Sequence, residues 1–196
     1  VVGAIGVAMS DSASLANLVR TIDLDFVNVA GRYTVLDQRA LSELFPACEQ
    51  TGTSVIISSV FNTGILSSPD KSSTFDGIVV DHKWRERAEA LGLRRLDSYE
   101  TGGYWLGRAK EIQAICESYN IPVYAAALQF VAAHPLVSSI IAGVGRPERV
   151  HQYVYALKML IPDALWGALL DKGFISHHPA DSGSERLSAK FGAVIP

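Results

Sequence analysis

The chain is poor in the residues that would tie it to several large classes of protein. Two cysteines among 196 residues, Cys48 and Cys116, form neither a disulfide framework nor a metal-ligand cluster. Both fall on apolar stripes of predicted helices, so buried free thiols and a reducing, cytoplasmic setting are expected, with no metal site. Charge is scarce at 19% and leans acidic, with a net charge of -3 and a pI near 5.9. Nucleic-acid and membrane-surface proteins need a basic face, and this composition argues against both. No apolar run approaches the ~18 residues that would span a bilayer. The segment from Val1 has neither the basic stretch nor the cleavage pattern of a secretory leader. It already reads as a strand, as though the chain opened inside a fold.

What is present is apolar: 48% of residues, enough for a substantial core in a single domain. Four runs, Val2–Ala8, Phe26–Ala30, Val55–Val60 and Ser138–Val144, are nearly continuous in apolar or small residues, the signature of parallel strands covered on both faces. Each is followed by a helical stripe at i, i+3, i+4, i+7 spacing. The stripes are Leu15, Leu18, Val19 and Ile22; Leu41, Leu44, Phe45 and Cys48; Ile112, Ile115, Cys116 and Tyr119; and Val150, Tyr153, Val154 and Leu157. Ser10, Asp11 or Ser12 is placed to cap the first helix and Asp37 the second, which Gly52 ends. Further helices are predicted over Tyr124–His134, stopping at Pro135, and over Pro162–Lys172, ending at Gly173. The βα alternation implies an α/β fold with a parallel sheet and right-handed crossovers, either a doubly wound sheet or a barrel.

One connection breaks the rhythm. Residues 62–106 carry only a weak helical pattern near Lys83–Leu91, and long loops at the carboxyl ends of strands usually serve function. Its Tyr99, Tyr104 and Trp105 either wall a pocket or anchor the loop to the body. From Ser176 onward, His, Pro, Ser and Gly read as a loose tail, giving a body over 1–175 and a tail over 176–196.

The densest signal is Ile140-Ile-Ala-Gly-Val-Gly-Arg-Pro-Glu-Arg-Val-His-Gln152. It reads as a buried strand, a glycine turn and a helix with Pro147 at its first position and Glu148 in its first turn. Gly143 and Gly145 permit close approach of another molecule. The free N–H groups and positive dipole end of such a helix start suit a phosphate, and Arg149 is within reach of the same anion. Many strand-glycine-helix junctions nevertheless bind nothing.

Five ordered segments carry a family resemblance: Val2-Gly-Ala-Ile-Gly-Val7, Ala30-Gly-Arg-Tyr-Thr-Val-Leu-Asp-Gln38, Ser59-Val-Phe-Asn-Thr-Gly-Ile-Leu66, Ala126-Ala-Leu-Gln-Phe130 and Ala142-Gly-Val-Gly-Arg-Pro-Glu-Arg-Val150. Together, from Val1 to about Lys172, they resemble the second half of an aldo-keto reductase, nearest the group that oxidises L-fucose, L-galactose and related aldoses at C1. The resemblance implies strands five to eight of a TIM-type (β/α)8 barrel, NADP or NAD as cofactor, and a sugar or other carbonyl or alcohol substrate. Hydride would pass between C4 of the nicotinamide and the anomeric or carbonyl carbon. It further implies that Gly143, Val144, Gly145, Arg149 and Gln152 hold the adenosine end, with Arg149 matching the arginine that meets a 2′-phosphate. Ser59, Phe61, Asn62, Gly64 and Leu66 would follow the pyrophosphate.

Departures are also visible. Gly143 stands where many NADP-preferring members carry Lys, and Tyr153 where Asn is usual. Ser58 replaces a nicotinamide-stacking Tyr, for which Phe61 or Tyr33 is a possible substitute. Ala8-Met9 and Ala30 replace the carboxamide-holding side chains, with Ser10 a partial stand-in. The catalytic Tyr, Lys, Asp and His of the family belong to its second to fourth strands, so no catalytic residue is assigned here. Tyr33 follows a strand, but a tyrosine without a nearby cation stays near its usual pKa of ~10 and is a poor acid at neutral pH. The histidines at 82, 134, 151, 177 and 178 suit packing or surface roles.

Two function classes therefore stand: the cofactor-binding half of an NAD(P)-dependent oxidoreductase, or a truncated, non-catalytic nucleotide-binding or regulatory protein. A weaker third is another phosphate-binding (β/α) barrel. Half a barrel has open strand edges, so pairing with a missing amino-terminal half, self-association or poor solubility is expected.

Overall fold

A computed structural model describes residues 1–62, 64–67 and 102–179. Four strands, β1 (Gly6–Met9), β2 (Phe26–Ala30), β3 (Ser54–Ser58) and β4 (Val137–Ile141), form one sheet in which all neighbours are parallel and the order is sequential. A doubly wound sheet reverses its strand order at a switch point. The sequential order here contains no such reversal and is consistent with a barrel wall.

Burial separates the two faces. Val27, Val29, Val55, Ile57 and Val137 are buried in the core with the helices, joined by partly buried Val7, Met9 and Ile140. The alternate positions, among them Ala8, Asn28, Ile56 and Ser139, lie at one level across the sheet and are half-buried or exposed. The continuous apolar runs had implied cover on both faces; among the described residues only one face has it.

The strand centres fall where expected, but three sets of ends do not. β1 begins at Gly6 rather than Val2, leaving Val1, Val2 and Ile5 exposed. Its ladder stops at Asp25, whose N–H donates to the Ile5 carbonyl at 3.0 Å and whose carboxylate accepts the Ile5 N–H at 2.7 Å. β3 ends at Ser58 because Ser59 takes a left-handed φ of 53°, turning Val60 into the core. β4 ends at Ile141 and its register shifts by one residue between Val55 and Ile56; Ser138 Oγ fills the irregularity by donating to the Val55 carbonyl at 3.2 Å.

Among the described residues there are six helices: α1 (Ser12–Thr21), α2 (Ala40–Thr51), α3 (Gly102–Ser118), α4 (Val123–Ala133), α5 (Glu148–Lys158) and α6 (Asp163–Asp171). Of the three candidate caps for α1, Asp11 performs the task, accepting the Ser14 N–H at 2.9 Å. Gly52 closes α2 with φ 75°, the left-handed conformation glycine tolerates best. Asp37 is not itself the cap residue of α2; it stands two residues ahead of Arg39, which is, and its Oδ1 accepts the Arg39 N–H at 3.1 Å. The Thr34 hydroxyl accepts the Leu36 and Asp37 N–H groups, folding the loop so that Asp37 is buried, pairing with Arg39 at 2.7 Å and Arg32 at 3.4 Å.

The apolar stripes hold at Leu15, Val19, Leu44, Phe45, Cys48, Ile112, Cys116 and Tyr153. They fail at Ile22, which lies past the end of α1, and at Val150; both are exposed. Helix α3 opens at Gly102, so the expected loop over 62–106 gives way to helix before its end. The Lys83–Leu91 pattern and Tyr99 lie outside the described residues.

Helix α4 is buried on nearly every side. Its single buried polar residue, Gln129, donates from Nε2 to the carbonyls of Ala156 and Met159, both at 2.7 Å, which closes the carboxyl end of α5. The Ala126–Phe130 motif thus ties α4 to the helix that carries Arg149. Both cysteines are free and buried. Burial pushes the Cys48 thiol up to about 11 and, with Glu117 adding to it, the Cys116 thiol up to about 12.

Candidate functional site

At the carboxyl ends of β3 and β4 the chain makes two turns that face each other. After β3, Ser59 and Asn62 both adopt positive φ, and the loop is tied to the one after β2: Gly31 N–H donates to the Ser58 carbonyl at 2.9 Å, and Asn62 Nδ2 to the Gly31 carbonyl at 3.2 Å. A left-handed serine and asparagine cost about 1 kcal/mol or more each, which this cross-bracing offsets. After β4, Ala142 to Pro147 lead into α5, where Pro147 occupies the cap position rather than the first helical one. Arg149 and Val150 N–H groups bond to the Arg146 and Pro147 carbonyls, both at 3.1 Å. Those two donors are spent inside the first turn, so the arginine side chains supply the free positive charge there.

Between these turns lies a cleft of about 630 Å³. One wall is Ser58, Ser59, Val60 and Phe61 with Gly64 and Ser67; the other is Ile141, Gly143, Gly145, Arg146, Arg149 and Tyr153. Gly143 and Gly145 face open space, where even a Cβ would meet nothing within 4 Å. Gly64 holds φ 94°, which an L side chain rarely adopts. A phosphate-bearing ligand fits the chemistry of this cleft: two guanidinium groups, a helix start and glycine backbone open to close contact.

Of the residues expected here from sequence, Ser59, Phe61, Gly64, Gly143, Gly145 and Arg149 meet in the cleft. Leu66 does not line it; the turn carries it wholly into the core. Val144 and Gln152 are exposed beside the junction rather than in the cleft wall. Asn62 stands behind the wall with its amide nitrogen on Gly31, while its Oδ1 is buried without a hydrogen-bond partner. Ser58, Ser67, Ile141, Arg146 and Tyr153 were not singled out as cofactor contacts. Arg146 had a visible signal, sharing a motif with Arg149, and Tyr153 sits one helical turn from that arginine.

Tyr33 is not available as a ring for a ligand. It is completely buried, packed against Phe45, Phe130, His134 and His177 with centroids 4.8–6.1 Å away. Its hydroxyl meets His177 Nε2 at 3.0 Å, and desolvation pushes its pKa far above the usual tyrosine value. Ser176 to Pro179, placed in a loose tail by composition, are docked here: the Ser176 N–H donates to Gln38 Oε1 at 2.9 Å, and Pro179 is buried. Trp105, on α3, serves both suggested purposes, packing against the core and lining a second depression of about 400 Å³ beside Arg39 and Arg108. Among the described residues, no group of three or more His, Cys, Asp or Glu is placed to hold a metal ion.

Residues 1–172 match the aldo/keto reductase family. The chain belongs to that family. Among aldo/keto reductase relatives, it is 34% identical to a D-threo-aldose 1-dehydrogenase of Pseudomonas sp over 178 residues, 89% of this chain and 47% of that protein. It is 31% identical over 171 residues to a pyridoxal 4-dehydrogenase of Microbacterium luteolum, covering 87% of this chain and 44% of the relative. Against an NADH-specific methylglyoxal reductase of Escherichia coli (strain K12) the identity is 26% over 162 residues, 82% and 45% of the two chains. The chain thus spans about half the length of these curated relatives. Its parallel α/β architecture is consistent with the aldo/keto reductase barrel.

Proposed function

We propose that this chain is the carboxyl-terminal, cofactor-binding half of an NAD(P)-dependent oxidoreductase of the aldo/keto reductase type, acting on an aldose or another carbonyl–alcohol pair in the cytoplasm. Residues 1–175 form part of a barrel, strands five to eight, and 176–196 a carboxyl-terminal extension. The observation that carries the reading is the cleft between β3 and α5, where Arg149, Arg146 and the open glycines face the Ser58–Phe61 wall. A nicotinamide dinucleotide, when bound, supplies the hydride acceptor or donor. Arg149 and Arg146 hold its phosphate-bearing adenosine end by charge-assisted hydrogen bonds. Gly143 and Gly145 let the backbone approach it, and Ser59, Phe61 and Gly64 follow its pyrophosphate.

The acid–base groups lie in the other half of the barrel on this reading. The open face and edges of the sheet then pack against that half, or against a second copy of this chain in its absence. Titrating the protein with NADPH and NADH by fluorescence tests the binding claim, and aldose oxidation by the full-length product tests the chemistry. Binding of neither nucleotide refutes the reading.

One observation favours a non-catalytic, nucleotide-binding alternative. Tyr33 is sealed against His177, and the described lysines, Lys110, Lys158 and Lys172, are exposed on or just beyond helices, so no described tyrosine has the lysine partner that would make it an acid. Nucleotide binding without turnover by the full-length product selects that alternative.

A further inference from the structure

Arg149 is held in an unusual way for a surface cation. Among the described residues no carboxylate pairs with it; its side-chain partner is the Tyr153 hydroxyl, which accepts from Nη1 at 3.2 Å. The two are four residues apart, one turn along α5, so helix geometry stacks them on one face. Tyr153 is itself fixed. It is 6% exposed, and its ring lies 4.9 Å from that of Phe61, on the opposite wall of the cleft, and 6.1 Å from that of Tyr124 on α4.

A carboxylate in the place of this phenol would orient the guanidinium but neutralise it. A phenol orients it and leaves the whole charge for an incoming anion. An arginine on a free stem must lose rotamer freedom when it grips a ligand, and a partner that restrains it beforehand lessens that loss. The planar fork, with one N–H on Tyr153, keeps further donors for a phosphate, the group such a fork matches best.

We propose that Tyr153 is a positioning and specificity-determining residue: wedged against Phe61, it holds Arg149 at the cleft and sets how strongly the site prefers an adenosine that carries a 2′-phosphate. This rests on the nucleotide reading of the cleft given above. It also couples the two walls, because a shift of Phe61 moves Tyr153 and with it the arginine.

The test is calorimetric titration of the full chain with 2′,5′-ADP and 5′-AMP, for the wild type, Tyr153→Phe, Arg149→Gln and the double variant. Tyr153→Phe keeps the ring packing on Phe61 and removes only the hydroxyl. The expected result is wild-type preference for 2′,5′-ADP and a loss of about fivefold in its affinity on Tyr153→Phe, with 5′-AMP unchanged. In the Arg149→Gln background the same change has no further effect, because the hydroxyl acts only through the arginine. Equal wild-type affinity for the two ligands overturns the proposal. So does a loss shared by both ligands, no loss, or a loss that persists without Arg149. If the wild type binds neither ligand, the nucleotide reading of the cleft falls and this inference with it; if it binds both and Tyr153→Phe changes nothing, the inference alone falls.

Discussion

Replacing Gln129 by Met removes the amide while keeping the length and bulk of the side chain. Gln129 is 7% exposed, and its Nε2 serves two carbonyls at 2.7 Å, those of Ala156 and Met159. A neutral hydrogen bond contributes about 1 kcal/mol net, and a buried acceptor left unpaired costs about 1–3 kcal/mol. The Ala156 carbonyl lies in the buried interior but also accepts the Met159 N–H at 3.3 Å, so it loses one of two partners and bears the lower part of that range. The bond to Met159 is only part-buried, and solvent recovers some of the loss. Together Gln129→Met should destabilise by about 1–3 kcal/mol, a sizeable fraction of the stability of an ordinary domain. Urea unfolding followed by circular dichroism measures it, with the midpoint falling at an unchanged slope. A change below about 0.5 kcal/mol would show that α5 does not depend on this amide, and the reading of the Ala126–Phe130 motif as its clamp would be withdrawn.

A Cβ on Gly6 would overlap the Phe26 carbonyl and ring, while one on Gly3 would meet nothing within 4 Å. Gly6→Ala should therefore cost about 1–3 kcal/mol or block folding, and Gly3→Ala should stay within about 0.5 kcal/mol in the same denaturation assay. With thiols held at about 11 and 12 by burial, Cys48 and Cys116 should resist a disulfide-exchange reagent at pH 8 and react only in denaturant. Both folded values lie above the ordinary thiol value of 9.0, so their linkage contribution is present below pH 9 and lost as pH rises through 11 and 12; a stability flat across that window refutes it. Tyr33→Phe removes the bond to His177 and should lower stability by about 1 kcal/mol, with earlier proteolytic cleavage near Ser176; an unchanged digestion pattern would count against a clasp there.

Strand centres, helix faces and the parallel βα order were legible because periodicity records burial within a single element. Ends were not, because a ladder stops where its partner stops. Nothing in Val2–Ile5 says that Asp25 will close the pairing at Gly6, and nothing in Val55–Val60 says that Ser59 will turn through positive φ. Asp37 has the composition of a helix cap. It stands two residues before the cap position, accepting the Arg39 N–H and serving as the anion between Arg32 and Arg39, because the Thr34 hydroxyl folds the loop before the helix begins. In the cleft, Arg149 and its glycines were readable as one contiguous motif. Tyr153 was readable as a core residue of its helix and as a departure from the usual Asn, but its packing on Phe61 was not, because that ring comes from the opposite wall of the cleft.

The less buried face of the sheet argues about what belongs against it. Across one level run Ala8, Asn28, Ile56 and Ser139, and across the next Ala30, Ser58 and Ile141. Ser58 Oγ donates to Asn28 Oδ1 at 2.7 Å within this face. An antiparallel sheet that meets water shows charged and polar side chains on its wet face, yet no charged residue occupies either level. A greasy docking surface would show large aliphatics throughout, and here small and hydroxyl side chains dominate. The mixture of small residues with an occasional Ile, stacked in levels, is what the interior of a parallel barrel requires, because side chains from the opposite strands fill each layer. On the proposal that four further strands close this wall, Ser139→Lys places a charge in such a layer and should abolish assembly with the remainder of the barrel. Placed instead on a face that ends in water, it should change neither solubility nor oligomeric state by size-exclusion chromatography, and that outcome would refute closure.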